Sequence, residues 1–199
     1  MRHVIGCMAV ILALVAGSAA ATPVLSLSSQ TVTVGNASTI DLSITGLGAG
    51  IALGTFDVNV AFDPRILSFA SATYGDSILG DQLNLEGFGT FTTTTPGSGT
   101  TELFELSFDS PNVLASSQAS AFTLSTLTFD TLAPGTSALG LSINAIGDQN
   151  GNPLSVTTTD GAVIVNSAPV VSSVPEPATL GLLALGLFGT AFVRRNRTP

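Results

Sequence analysis

The chain has 199 residues, 45% of them hydrophobic and only 9% charged, which is the reverse of a disordered composition and suits strands joined by tight turns. From Thr22 to Val174 it holds twelve carboxylates and one base, Arg65, a formal charge of −11; so acidic a surface repels phosphate and excludes nucleic acid as a partner. The single His and single Cys (His3, Cys7) sit at the extreme N-terminus and there is no Lys, so the interior lacks the usual nucleophiles, general bases and transition-metal ligands.

In chain order, Arg2 and His3 precede an apolar run from Val4 to Val15, followed by Gly17-Ser18-Ala19-Ala20-Ala21. A basic start, a short apolar core and small residues before a cut describe a secretory signal peptide, entered as a helix and spanning residues 1–21. Ala19 and Ala21 are the small residues that signal peptidase reads, with cleavage after Ala21; cleavage after Ala20 is the alternative. Cys7 has no apolar segment before it and is not a lipoprotein site.

The interior reads as strands. Val24 to Leu27, Thr31 to Val34 and Ile40 to Ile44 open the domain. Thr55 to Phe62 alternates, with Phe56, Val58, Val60 and Phe62 facing a core and Asp57 and Asn59 facing water. Asp63-Pro64 stops that strand and starts a turn, and Ile66 to Thr73 is the next strand. Gly87 to Thr101 predicts a long loop or a loose hairpin. Glu102 to Asp109 alternates with Phe104, Leu106 and Phe108 on one face and Glu105, Ser107 and Asp109 on the other. Phe122 and Leu124 fall one residue out of register with Leu127 and Phe129, which predicts a β-bulge near Ser125-Thr126. Leu139, Leu141 and Ile143 alternate, and Val156 and Ala162 to Val165 supply the last one or two strands. The total is eight or nine strands without a convincing amphipathic helix, the pattern of an all-β sandwich. Nine Phe fall in this interior, most at core parity.

Residues 167–173 read as a linker. Beyond them Val174-Pro175-Glu176-Pro177 introduces the uncharged run Ala178 to Val193, and Arg194, Arg195 and Arg197 close the chain. Helical geometry gives the apolar run roughly 24 Å, a marginal transmembrane helix over 178–193 for a hydrocarbon core of about 30 Å. The arginines stop transfer and stay cytoplasmic, which leaves the domain outside. A fixed tripeptide, a short apolar helix and a basic end, in that order over residues 174–197, closely resemble the PEP-CTERM sorting signal of Gram-negative bacteria that make extracellular polysaccharide. The resemblance implies recognition through Pro175, Glu176 and Pro177 by an exosortase-like membrane protease that removes the helix.

A second resemblance covers residues 22–166. Phe56 through Asp63-Pro64, then Ile66-Leu67-Ser68-Phe69 and Gly75-Asp76 with Leu79, are similar to the first half of cohesin domains. Leu124 to Phe129, Ala133-Pro134-Gly135-Thr136-Ser137, Asp148 to Pro153 and Asp160-Gly161-Ala162-Val163-Ile164-Val165 follow in the order of the second half. The resemblance implies a nine-stranded jelly-roll β-sandwich that binds or scaffolds and is not a catalyst; it does not carry a dockerin partner with it.

Asp148-Gln149-Asn150-Gly151-Asn152-Pro153 begins like a calcium loop, with Asp148 and Asn150 as candidate ligands. An EF-hand needs Gly at its sixth position and Glu at its twelfth, where this chain has Pro153 and Thr159, so a polar hairpin turn is the stronger reading. Paired carboxylates could hydrolyse a glycosidic bond, but Glu102 and Glu105 point to opposite faces of one strand. No Trp and one Tyr, Tyr74, argue against a flat aromatic platform for sugars. The expectation is a non-enzymatic exported protein without cofactor. It passes through an inner-membrane intermediate to the cell surface, outer envelope or extracellular matrix, and it binds a protein or an extracellular polysaccharide. The alternatives are a purely structural matrix component and, last, a carboxylate-based glycoside hydrolase.

Overall fold

The alternating interior becomes eleven strands and one short helix in the computed structural model, which describes residues 22–169. The strands are β1 (Val24–Leu27), β2 (Gln30–Thr33), β3 (Ala37–Thr45), β4 (Leu53–Ala61), β5 (Leu67–Tyr74), β6 (Thr90–Pro96), β7 (Thr100–Ser107), β8 (Ala121–Thr131), β9 (Gly135–Asp148), β10 (Thr157–Thr159) and β11 (Gly161–Asn166); α1 is Pro111–Ser117. They form a sandwich of a five-stranded sheet, β10-β1-β3-β8-β5, and a six-stranded sheet, β2-β11-β9-β4-β7-β6.

The count exceeds the expected nine because both ends of the domain change sheets. β1 pairs with β3 in one sheet while β2 pairs in parallel with β11 in the other; likewise β10 pairs with β1 and β11 with β9. The two crossings touch at Gly161, where a Cβ would lie 2.3 Å from the Ser28 carbonyl oxygen. Only a residue without a side chain allows the backbones to pass that closely. In addition, the Gly87–Thr101 stretch, read as a loop or loose hairpin, holds β6, which pairs with β7 over seven positions.

Several expectations hold. Phe56, Val58 and Val60 are fully buried and Phe62 nearly so. Asp63 makes the turn after β4, its carbonyl accepting from Ile66 and Leu67 N–H, and its own N–H donates to the buried Ser137 hydroxyl at 2.9 Å, which joins the Asp-Pro turn to the Gly-Thr-Ser turn. The bulge in β8 is present: Leu42 and Ser43 face Ser125 and Thr123, which leaves Leu124 as the extra residue. It lets Phe122 and Leu124 share the core with Leu127 and Phe129 although the two pairs differ in parity.

Two expectations do not hold. α1 is absent from the sequence reading because its seven residues bury only Leu114, too few for a helical period to register. The larger correction concerns β7. Its Phe104, Leu106 and Phe108 face outward, and Thr101, Leu103, Glu105 and Asp109 face the interior. The cause is register. Phe56, Val58 and Val60 lie opposite Glu105, Leu103 and Thr101, and residues directly opposite share a face. Once β4 commits its apolar side to the core, β7 must bury Glu105; a slip of one residue would reverse both faces.

Among the described residues no helix is long and apolar enough to cross a membrane. The leader 1–21 and the apolar run 178–193 lie outside the described residues.

Candidate functional site

Turning β7 over creates an apolar strip on the outer face of the six-stranded sheet. Phe91 of β6 lies opposite Leu106, and Thr93 opposite Phe104. Phe91 is 54% exposed, Leu106 38% and Phe108, just past the strand, 55%. The Phe91 and Phe104 rings meet edge to face, with centroids 5.9 Å apart and planes at 65°. Five of the nine interior Phe belong to the core, as expected: Phe56, Phe62, Phe122 and Phe129 are buried and Phe69 packs against them. Beside the strip, Asp57 lies opposite Phe104 and Asn59 opposite Glu102. Asn144 ties this polar border together: its amide donates to Asp57 at 2.9 Å and its oxygen accepts from Asn59 at 3.0 Å. The face therefore has an apolar centre and an acidic margin.

The inner side of β7 is chemically the reverse. Glu105 is fully buried and no donor reaches either carboxylate oxygen. Burial foremost, then the charge of Asp81, pushes its pKa up from 4.5 to about 8, so the side chain is an uncharged acid at neutral pH. Tyr74 of β5 closes the gap to the other sheet, its hydroxyl donating to the Thr93 carbonyl at 2.7 Å. Burial raises its pKa as well. Asp76 behaves oppositely. It accepts N–H bonds from Thr123, Leu79 and Ile78, and these, Thr123 first, lower its pKa to about 2. The Gly75-Asp76 pair quoted from the sequence is thus an anchor for the loop after β5.

Asp148 and Asn150 sit in the turn after β9. The Asp148 carboxylate accepts from Asn150 N–H at 2.8 Å and Asn152 N–H at 2.9 Å, the arrangement of an Asx-type turn. Glu102 and Glu105 lie on opposite faces, as the spacing requires. Arg65 pairs with Asp63 two residues away at 2.8 Å. Ala19, Ala21, Pro175, Glu176, Pro177, Arg194, Arg195 and Arg197 lie outside the described residues. The residues that sequence reasoning missed are those of the outer strip. The available signal was that Leu103 alone competes with three bulky residues for the core side of β7, which favours the wrong face on hydrophobicity alone.

Comparison with solved structures places the sandwich in the cohesin class of folds. A non-cellulosomal cohesin from Archaeoglobus fulgidus is 17% identical, with 74% of this chain and 93% of that one covered and a TM-score of 0.57. The sixth cohesin of Acetivibrio cellulolyticus scaffoldin B, solved with a Cel5 dockerin, is 18% identical over 73% of this chain and all of its own, at a TM-score of 0.60. A type I cohesin from Clostridium thermocellum, solved in a cohesin–dockerin complex, is 13% identical with the same coverage and TM-score. Residues 173–197 match the PEP-CTERM protein-sorting motif. The chain therefore joins a cohesin-fold domain to a PEP-CTERM tail, which implies export and sorting to the cell surface. Among curated proteins none matches the chain significantly.

Proposed function

We propose that this protein is a non-enzymatic surface module that docks a partner protein on the outer face of β9-β4-β7-β6. Signal peptidase removes residues 1–21 after Ala21. The C-terminal helix 178–193, stopped by Arg194, Arg195 and Arg197, holds the protein in the inner membrane. An exosortase-like protease then reads Pro175, Glu176 and Pro177 and releases it to the envelope or matrix. The observation that carries the docking reading is the outward apolar strip of Phe91, Phe104 and Leu106, which lies outside the core cluster. Exposed aromatic residues with a polar border are the composition of a protein interface. The 65° tilt between Phe91 and Phe104 suits interdigitation with side chains better than stacking on a flat sugar ring. The acidic margin and the −11 charge favour a basic partner. Dockerin complexes of structurally similar cohesins make a dockerin-like protein partner consistent with this fold. Glu105 is sealed from solvent and out of reach of a glycosidic bond.

The test is capture from the native host's envelope extract by the exported protein. Saturable, salt-sensitive retention of one protein that disappears with Leu106→Arg, the variant staying folded by circular dichroism, is the expected result. Retention unchanged in Leu106→Arg refutes the face, and no retention by either protein favours a purely structural matrix role. Sorting is tested separately: Glu176→Ala should block processing and surface delivery, and normal delivery would refute the exosortase reading.

A further inference from the structure

A strand at the end of a sheet presents a row of free backbone N–H and C=O groups, and folded proteins protect such edges by brevity, bulges, proline or charge. Among the described residues four strands end a sheet: β10 and β5 in one, β2 and β6 in the other. β10 has three residues and β2 four, too short to template a partner. β5 is longer, but its register with β8 breaks between Phe69 and Ser71, a bulge that disrupts the edge. β6 lacks these protections along its length. It runs seven residues, Thr-Phe-Thr-Thr-Thr-Thr-Pro, in unbroken register with β7 and without a charged side chain. Proline enters only as its last residue.

The hairpin that joins β6 to β7 fixes which groups are free. Gly97 N–H donates to the Thr100 carbonyl at 2.8 Å, so Gly97 and Thr100 are a hydrogen-bonded pair. Bonded and non-bonded pairs alternate along an antiparallel ladder. Thr95, Thr93 and Phe91 therefore bond to β7, and Thr94, Thr92 and Thr90 turn their N–H and C=O groups to the open side. Pro96 falls in the open set as well, where its missing N–H costs the ladder nothing and where it stops an added strand from running further. Inside the sandwich Tyr74 holds the strand in place: its hydroxyl donates to the Thr93 carbonyl at 2.7 Å and lies 3.0 Å from the Thr94 hydroxyl. The open edge is thus preformed, and it is built of Thr and Phe, which favour strands.

We propose that β6 pairs antiparallel with β6 of a second copy of this chain, about a two-fold axis at Thr92. Thr92 then faces its own counterpart, and Thr90 faces the partner's Thr94. Each opposed pair exchanges two bonds, about six in all. On the outer face Phe91 lies opposite the partner's Thr93 and diagonal to the partner's Phe91, within reach of an aromatic contact. The two six-stranded sheets become one continuous sheet. Charge and composition select a second copy. From Thr22 to Val174 the chain carries −11 with one base, so two copies repel wherever their carboxylates meet. The neutral β6 is a stretch where none does, and it offers a basic partner no charge to recognise. An antiparallel pair of identical strands is self-complementary, as a two-fold interface requires. The pairing uses the edge of the sheet and not its face, so it does not rest on the docking of a partner protein.

The full chain in detergent is followed by sedimentation velocity from micromolar to millimolar concentration, and backbone hydrogen exchange is read at β6. A reversible dimer should appear, and the amides of Thr90, Thr92 and Thr94 should slow their exchange in step with it. Salt should tighten the dimer, because it screens repulsion between two acidic copies, whereas it should weaken capture of a basic partner. Thr92→Pro removes an N–H that β7 does not use and should weaken dimerisation roughly tenfold or more, since two bonds at the axis are lost. Thr93→Glu, at an exposed position, should also weaken it by placing like charges across the axis; Thr92→Val, which keeps the N–H, should not. Leu106→Arg disrupts the docking strip and should leave the dimer intact. Association that persists unchanged in both Thr92→Pro and Thr93→Glu, as contact between tails would, overturns the proposal. A dimer whose β6 amides stay unprotected overturns it too. So does a monomer at every concentration, which leaves the edge open to a strand of another protein.

Discussion

Glu105 should dominate the alkaline side of the stability profile. Its folded pKa of about 8 lies above the ordinary 4.5, so the native state holds a proton that the unfolded chain releases. The sign follows from linkage: native stability is fully present below pH 4.5 and is lost progressively as the pH rises through 8, after which it levels. At about 1.4 kcal/mol per pH unit, the full interval corresponds to an upper figure of about 5 kcal/mol; some water penetration brings the expected loss to about 2–4 kcal/mol. Glu105→Gln keeps the shape and cannot ionise. Urea unfolding of both proteins at a series of pH values gives the difference directly. Other groups facing the site, Asp81 and Tyr74, are common to both and largely cancel. The variant should match or trail the wild type at pH 4.5, because its amide is also unpartnered, and gain on it steadily towards pH 8. Parallel profiles across that interval would show that Glu105 is ionised or solvated in the native state and would refute the reasoning.

Gly161→Ala should destabilise the domain by about 2–4 kcal/mol, within the range for backbone strain and overpacking. Its new methyl would meet the Ser28 carbonyl at 2.3 Å, and neither crossing strand can yield; equal melting curves for the two proteins would contradict this. Asp76 governs the acid limb. Because its pKa is lowered from 3.8 to about 2 by the Thr123, Leu79 and Ile78 N–H groups, its contribution is present above pH 3.8 and is lost as the pH falls through 2. Asp76→Ala should weaken the domain at neutral pH and flatten that limb in acid unfolding curves.

Much of the architecture was legible because strand physics is local. Phe56, Val58, Val60 and Phe62 alternate with polar residues over a full strand, and a period of two admits one reading. The mismatch between Phe122-Leu124 and Leu127-Phe129 announced the bulge in the same way. Asp63-Pro64 was readable as punctuation, since turn chemistry depends on near neighbours. The sorting tail was legible for a different reason: a sorting motif is a linear signal, so its information lies in composition and order.

What the sequence alone determined, then, was an exported all-β domain with a sorting tail, an acidic surface and almost no catalytic side chains. What only the tertiary structure decided was which side of β7 faces the core. Its two faces compete on nearly equal terms, three bulky apolar residues against one Leu, and the outcome depends on pairing with β4, a strand some forty residues earlier. That long-range register buries Glu105 and exposes Phe104 and Leu106. Both the outer apolar strip and the buried acid follow from it, because a strand's two faces cannot be assigned independently.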